Sequence, residues 1–382
     1  MSEPIYLDSG TITRPSDHLI SQMQPFMKRH WQSITAPYVQ GKEPFTSINR
    51  RIGDLRAFVG AHDKDHFQFC SSGSHAISDV YHSVYIDHIA ENGKNHILTT
   101  RIEEAPIHLI GKRFEKVGVY QKNIPLNEKG QVTREALEKV LTPKTGLVSL
   151  SWGNSLTGVI HPIWELGELC REKGVLFHVD ASNVLGKLYF KFQQLPIDYL
   201  TFEGTLIHGP KGSGGLFVQR GIDYESQMVE GMEGADLNLP AFIGLGVAVE
   251  ELTNFFDHLC METVRLRDKL EEGILLAIPE VKVLFKEAER LPNVAAILFP
   301  GVMGELLSFH LREQKVFASF GGGRQQKLRH LLTAVGSDPI ESQCVLSFSL
   351  SYTTTEEEID RAIGIIVDSV QKCRTFSKGV LL

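Results

Sequence analysis

The sequence lacks the features of secreted, zinc-binding or membrane proteins. Its few cysteines are odd in number, scattered, and never arranged as Cys-x-x-Cys: Cys70, Cys170, Cys260, Cys344 and Cys373. This pattern favours free thiols in a reducing compartment over a disulfide framework or a metal site. No segment approaches about 18 consecutive apolar residues, and the first residues lack the basic and apolar stretches of a signal peptide. We therefore predict a cytoplasmic protein with no metal site and no membrane span.

Positive charge is also scarce. The net charge is −7 at neutral pH, and the lysines and arginines form no cluster, which argues against a nucleic-acid partner. The chain has 382 residues, of which 42% are hydrophobic and 22% charged. These values are typical of an ordinary globular protein with a large core and room for two domains.

The first half of the chain alternates between apolar strands and helical patterns. The predicted strands are at 68–70, 96–99, 117–120, 146–151 and 175–179, and a helix is predicted over 76–90. This alternation indicates an α/β protein built on a parallel sheet covered on both faces. In such sheets ligands lie beyond the carboxyl ends of the strands. Because Gly73, Ser155, Asp180 and Leu206 fall at strand ends, we expect them to line one cleft.

The second half has a different pattern. A long helix over 241–270 is predicted to lead into a smaller domain with strands at 281–285, 294–299 and 346–350. The last helix begins at a capping signal, in which Thr355 is followed three residues later by Glu358.

One stretch of the chain resembles a known cofactor segment. Tyr199-Leu-Thr-Phe-Glu203-Gly-Thr-Leu206-Ile-His-Gly-Pro-Lys211-Gly is similar to the pattern Ser-Phe-Ser-Gly-His-Lys-Ile-Tyr-Gly-Pro-Lys-Gly of class V aminotransferases, particularly cysteine desulfurases of the NifS/IscS kind. The segments at 5–13 and 354–360 also match this family, so the resemblance covers nearly the whole chain.

The resemblance implies the fold type I of transferases that depend on pyridoxal phosphate. This fold has a large α/β domain, whose mixed and mostly parallel sheet is flanked by helices, and a smaller α+β C-terminal domain. We place the large domain at 16–245 and the small domain at 246–382. The N-terminal segment 1–15 is expected to pack with the small domain.

The family's catalytic positions are replaced in this chain. The lysine that carries pyridoxal phosphate as a Schiff base corresponds to Leu206, and a hydrocarbon forms no imine and transfers no proton. Glu104 stands where the family has a histidine that stacks on the cofactor ring. Ser347 stands where an arginine binds the substrate carboxylate. The segment 318–324 corresponds to the loop of the nucleophilic cysteine and contains no cysteine.

Other positions form what we call the remnant pocket: Gly73, Ser74, His75, Ser155, Asp180, Asn183, Glu203 and Thr205. By resemblance, Asp180 is the carboxylate that pairs with the pyridine nitrogen. His75, Glu203 and Thr205 replace side chains that bind the phosphate, and Asp236 aligns with a further phosphate threonine. Two carboxylates facing a dianion would weaken cofactor binding, since like charges about 4 Å apart repel by about 4 kcal/mol at an effective dielectric of 20.

Three functional readings stay open on this basis. The first is a desulfurase homologue without classical catalysis or bound cofactor, acting as a scaffold, regulator or ligand-binding protein. The second is an enzyme of altered chemistry that holds pyridoxal or pyridoxamine phosphate without a covalent bond and moves protons through His75, His208 or Lys211. The third is an active aminotransferase or cysteine desulfurase. We expect a homodimer, with an active paralogue or a sulfur-transfer protein as other partners.

Overall fold

The computed structural model describes residues 3–34, 42–227 and 237–380. Its strands are β1 Ile5–Tyr6, β2 His66–Cys70, β3 His96–Thr99, β4 Tyr120–Asn123, β5 Thr145–Ser151, β6 Leu176–Asp180, β7 Tyr199–Glu203, β8 Gly214–Val218, β9 Lys282–Val283, β10 Val294–Leu298, β11 Val316–Phe317 and β12 Val345–Ser349. Its α-helices are α1 Asp17–Lys28, α2 Lys42–Val59, α3 Gly73–Ser83, α4 Ala90–Asn92, α5 Ala105–Phe114, α6 Arg134–Val140, α7 Ile163–Lys173, α8 Leu239–Ala277, α9 Gly304–Glu313, α10 Leu328–Ala334 and α11 Glu356–Val380.

The main sheet has seven strands in the order β2-β8-β7-β6-β5-β3-β4. Strands β7, β6, β5, β3 and β4 are parallel, whereas β8 is antiparallel to both of its neighbours. Alternate residues of β5 belong to different cores: Leu147 packs on the α3 side of the sheet and Val148 on the other. Both faces are therefore covered, and the prediction of a mixed, mostly parallel α/β sheet is confirmed.

The long helix α8 joins two hydrophobic cores. Its first half, up to Leu252, packs into the core of the main sheet. Its second half, from Leu266, packs into a second core around β10 and β12. Ile5 and Leu7 of the N-terminal segment also belong to this second core. The domain division predicted at 245/246 falls within α8.

Two predicted elements were misplaced, and local backbone chemistry explains both. The helix predicted from residue 76 begins at Gly73, because the Ser72 hydroxyl accepts a hydrogen bond from the His75 N–H and caps the helix earlier. The strand predicted at 117–120 lies at Tyr120–Asn123, because a 3₁₀ turn ends at Gly118 with φ 83° and delays the strand. The signal at Thr355 is confirmed, since Thr355 and Glu358 exchange reciprocal hydrogen bonds.

Within the described ranges, no helix combines the length and the apolar character that crossing a lipid bilayer requires.

Candidate functional site

Three acidic side chains converge at the carboxyl edge of the main sheet. Asp180 is the last residue of β6, Glu203 is the last residue of β7, and Glu104 follows β3 and directly precedes α5. All three residues are at least 92% buried, with relative exposures of 2%, 8% and 4%. Buried carboxylates require a partner, since an unpaired one carries a large desolvation penalty. The sheet edge is where ligands bind in this architecture.

The partner of these acids is Arg324. Its Nε lies 2.5 Å from a carboxylate oxygen of Glu104, and its two terminal nitrogens lie 2.7 Å from Glu203 and 3.4 Å from Asp180. The guanidinium thus places one nitrogen on each of the three carboxylates, and its side chain is 21% exposed. We call these four residues the Arg324 cage.

The path of the chain before Arg324 depends on glycine. Gly321, Gly322 and Gly323 have φ values of 85°, 119° and 66°, a region that side chains with a Cβ rarely adopt. A Cβ at Gly321 would also lie 2.0 Å from the Gln326 carbonyl oxygen. At the end of this run, the Arg324 carbonyl accepts a hydrogen bond from the Ala105 N–H at the start of α5. The turn and this hydrogen bond thus hold the Arg324 backbone at the start of α5, close to the three acids.

Glu203 occupies the N-terminal end of α3. The Gly73 N–H donates a 2.9 Å hydrogen bond to its Oε2, and the Thr205 hydroxyl donates a 3.1 Å hydrogen bond to its Oε1. Free N–H groups at a helix N-terminus favour an anion. The carboxylate of Glu203 therefore sits where a phosphate group would otherwise be attracted.

Neighbouring polar groups complete the cage. Asn183 donates a 3.0 Å hydrogen bond to Glu104, and the Ser182 hydroxyl donates a 2.6 Å hydrogen bond to Asp180. Burial alone would lower the pKa of Arg324, but the negative charges of Glu104, Asp180 and Glu203 more than offset it and raise the pKa. The arginine therefore stays charged, and the cage is an ionic cluster held together by hydrogen bonds.

The other members of the remnant pocket lie near the cage. Ser74 and His75 line a depression of about 660 Å³ whose wall includes Arg324. Ser155 is buried, and its hydroxyl accepts a 3.1 Å hydrogen bond from Gln325, the residue after Arg324. Asp236 lies outside the described residues.

Leu206 and Ser347 are both buried, the first in a short 3₁₀ turn and the second in a strand. Leu206 is 3% exposed and ends a short 3₁₀ turn at Gly204–Leu206. It lines a separate cavity of about 40 Å³ with Lys187 and Tyr352. Ser347 is buried in β12, where its backbone pairs with Ser319. Neither position carries a charged side chain or an amine.

Of the three candidate proton carriers, His75 and His208 contact other groups and Lys211 is exposed. The His75 ring lies 3.2 Å from the Ser71 hydroxyl and 3.7 Å from Asp79. His208 is buried against Tyr352, and burial lowers its pKa to about 4. Lys211 is exposed in its turn. Within the described ranges, none of these three side chains forms a hydrogen bond or ion pair with the cage carboxylates.

A fourth buried acid, Glu103, lies beside the cage. Its carboxylate accepts 2.7 Å hydrogen bonds from the Thr100 hydroxyl and the Ser151 N–H. Burial raises the pKa of Glu103 to about 7, against the lowering effect of these hydrogen bonds, and the charge of Asp180 adds to the rise. Between its ordinary value near 4.5 and about 7, the folded protein retains a proton that the unfolded chain has lost.

This raised pKa predicts a specific dependence of stability on pH. Because folded Glu103 keeps its proton in that window, this residue by itself is expected to lower the free energy of unfolding by roughly 3 kcal/mol between about pH 5 and 8, whereas buried histidines with lowered pKa values, such as His208, act in the opposite direction below about pH 6.5. Glu103→Gln should remove this contribution, so the difference in unfolding free energy between wild type and variant, measured by urea unfolding, should change by roughly 3 kcal/mol across the window. For Glu128→Gln, at an exposed position, that difference should not change with pH. An unchanged slope in Glu103→Gln would show that Glu103 does not hold the proton.

These residues do not fit pyridoxal phosphate. The position that resembles the cofactor lysine is Leu206, and the helix N-terminus expected to bind the phosphate already holds Glu203. The positions that resemble the ring-nitrogen partner and the stacking residue, Asp180 and Glu104, both bind Arg324. The guanidinium therefore lies among the groups that would surround the ring.

The role of Arg324 is not among the predictions from the sequence. The acids that replace neutral or basic family residues are recognisable there, but the segment 318–324 stands out only as a loop without cysteine. Two features of the sequence point to this role. Three acids in one predicted pocket require a cation. Three consecutive glycines before an arginine allow backbone conformations that bring its side chain to them. In the described part of the chain, no group of histidine, cysteine and acidic residues is arranged to hold a metal ion.

Comparisons with known proteins agree with this architecture. A family model described as aminotransferase class-V matches residues 5–362. A protein named cysteine desulfurase from Nostoc sp. is 30% identical over 382 residues, covering 98% of this chain and 94% of its own length. The cysteine desulfurase NifS of Azotobacter vinelandii is 29% identical over 381 residues, covering 98% and 94%. A solved structure titled NifS-like protein superposes with a TM-score of 0.88 at 25% identity, covering 97% of this chain and all of the other.

Proposed function

Since this chain belongs to the aminotransferase class-V family, we propose that it is a member without classical pyridoxal phosphate catalysis. It acts as a scaffold, a regulator or a ligand-binding protein and keeps the family's architecture. The observation that carries this proposal is the Arg324 cage, in which a side chain of the protein pairs with three acids at the expected cofactor position.

The chemistry of the pocket supports this reading. Leu206 offers no amine for an imine, and no arginine stands at Ser347 to bind a substrate carboxylate. The remaining charged groups pair with one another, and because one guanidinium faces three carboxylates, an excess of negative charge remains. Entry of a phosphorylated ring would require Arg324 to leave, which would expose three buried carboxylates to a second anion.

We propose that the protein forms a homodimer and binds a further protein partner. Exposed apolar side chains on one part of the surface support an interaction role: Ile20 and Met27 on α1 are 47% and 64% exposed, and Trp31 is 70% exposed. Sedimentation velocity over a range of concentrations tests the dimer, and a monomer at all concentrations would contradict it.

A titration of the purified protein with pyridoxal phosphate tests the loss of catalysis. We expect no visible aldimine absorption, no adduct after borohydride reduction, and no sulfide release from L-cysteine above a protein-free background. The NifS protein of Azotobacter vinelandii serves as the positive control. A visible aldimine band would overturn the proposal, and tight binding without that band would favour the alternative of a non-covalent cofactor enzyme.

A further inference from the structure

A groove along α5 adjoins the depression beside Arg324 and shares Ala105 and Leu109 with it, but none of its charged residues has been described so far. It is enclosed by α5, β4 and α10 and has a volume of about 690 Å³. Cavities that bind small molecules have volumes of about 300 to 1,000 Å³. The groove therefore has room for a ligand of ordinary metabolite size.

The lining of the groove is predominantly basic. It contains Arg101, Lys112 and two imidazoles, from His108 and His330, against a single carboxylate from Glu115. Among the described residues, Arg101 and Lys112 form no ion pair. Two cations against one carboxylate give the groove a positive excess in a chain whose net charge is −7. Such a concave basic surface attracts anions.

His108 of α5 and Gln121 of β4 both line the groove. Burial, followed by the charge of Lys112, lowers the pKa of His108, so its imidazole adds no positive charge at neutral pH. The positive charge in the groove therefore comes from Arg101 and Lys112.

The remaining wall is apolar. Ala105 and Leu109 of α5 and Ala334 of α10 face the groove, and Leu109 is 62% exposed. An inorganic anion would leave this surface uncovered. A ligand with a flat or aliphatic body attached to its acidic group would bury it and gain about 25 cal/mol for each Å² of apolar surface removed from water.

We propose that this groove binds a small organic anion, in which a carboxylate or phosphate group pairs with Arg101 and Lys112 beside Gln121 and an apolar body covers Leu109. This site is independent of the proposed function, because none of its polar residues belongs to the Arg324 cage.

Calorimetric titration tests the proposal with three probes in a low-salt buffer free of phosphate: phenyl phosphate, phenylacetate and inorganic phosphate. We expect saturable binding of at least one aryl anion, about tenfold or more tighter than inorganic phosphate. Tighter binding of phenyl phosphate would identify a phosphorylated ligand, and tighter binding of phenylacetate a carboxylic acid. The absence of saturable binding by both aryl anions would overturn the proposal.

Two neighbouring basic residues provide a matched pair of variants. Lys112 lines this groove, whereas Arg113 lines the adjoining depression beside Arg324. Lys112→Gln should weaken aryl anion binding about tenfold, while Arg113→Gln, which removes the same charge, should change it less than about twofold. Equal losses in both variants would indicate general charge attraction and would refute a defined site.

Gln121→Glu provides a second test with almost no change in shape. A carboxylate at this position would repel the bound anion, so affinity should fall by about tenfold or more. Near-UV circular dichroism establishes that each variant is folded. Retention of wild-type affinity in a folded Gln121→Glu variant would show that the anion does not bind beside Gln121.

Discussion

Replacing Arg324 with methionine is expected to destabilise the protein by about 3 to 5 kcal/mol. Methionine keeps much of the volume of the side chain but removes the charge that pairs with Glu104, Asp180 and Glu203. Those carboxylates are nearly buried, and breaking a buried ion pair leaves the remaining charges without compensation. Urea unfolding at neutral pH measures the loss as a change in the unfolding free energy.

Arg329→Met is the matched control for this prediction. Arg329 lies five positions further on, is exposed, and forms no ion pair with a described residue, so its replacement should change stability by less than about 0.5 kcal/mol. Adding Glu104→Gln and Glu203→Gln to Arg324→Met should restore part of the lost stability, because fewer charges remain unpaired. Equal losses in Arg324→Met and Arg329→Met would show that the cage contributes nothing measurable.

Stepwise restoration of the family's residues is expected to show that Leu206 is only one of several barriers to the cofactor. In Leu206→Lys alone, Glu203 still occupies the N-terminus of α3 and Arg324 still binds the cage acids. We expect little aldimine at micromolar pyridoxal phosphate. Combining Leu206→Lys with Glu203→Ser and Arg324→Ala should increase the apparent affinity by about a hundredfold or more, since a repulsive charge and a blocking side chain are both removed.

Visible absorption and mass spectrometry after borohydride reduction measure this gain. The mass of the reduced adduct and peptide mapping identify the lysine that reacted. Adding Lys211→Arg to the triple variant is the control, because it should leave the adduct unchanged if the new lysine at position 206 carries it. Strong aldimine formation in Leu206→Lys alone would show that the cage does not obstruct the cofactor.

Much of the local structure follows from short stretches of sequence. The capping signal at Thr355 and Glu358 predicts the start of α11. Gly174 ends α7 in the left-handed conformation with φ 62°. Errors arose where a single hydrogen bond or glycine shifts a boundary, as with Ser72 before α3 and Gly118 before β4. These effects act over three or four residues, so they change the ends of elements and not their order.

The sequence by itself determined the family, the doubly covered sheet, and the absence of an amine at position 206. Only the tertiary structure decided that Arg324 pairs with the acids, because its partners Glu104, Asp180 and Glu203 are 220, 144 and 121 positions away along the chain. Patterns of hydrophobicity and capping report interactions between near neighbours. An ion cluster between distant residues depends instead on where strand ends converge and how a glycine turn directs one side chain.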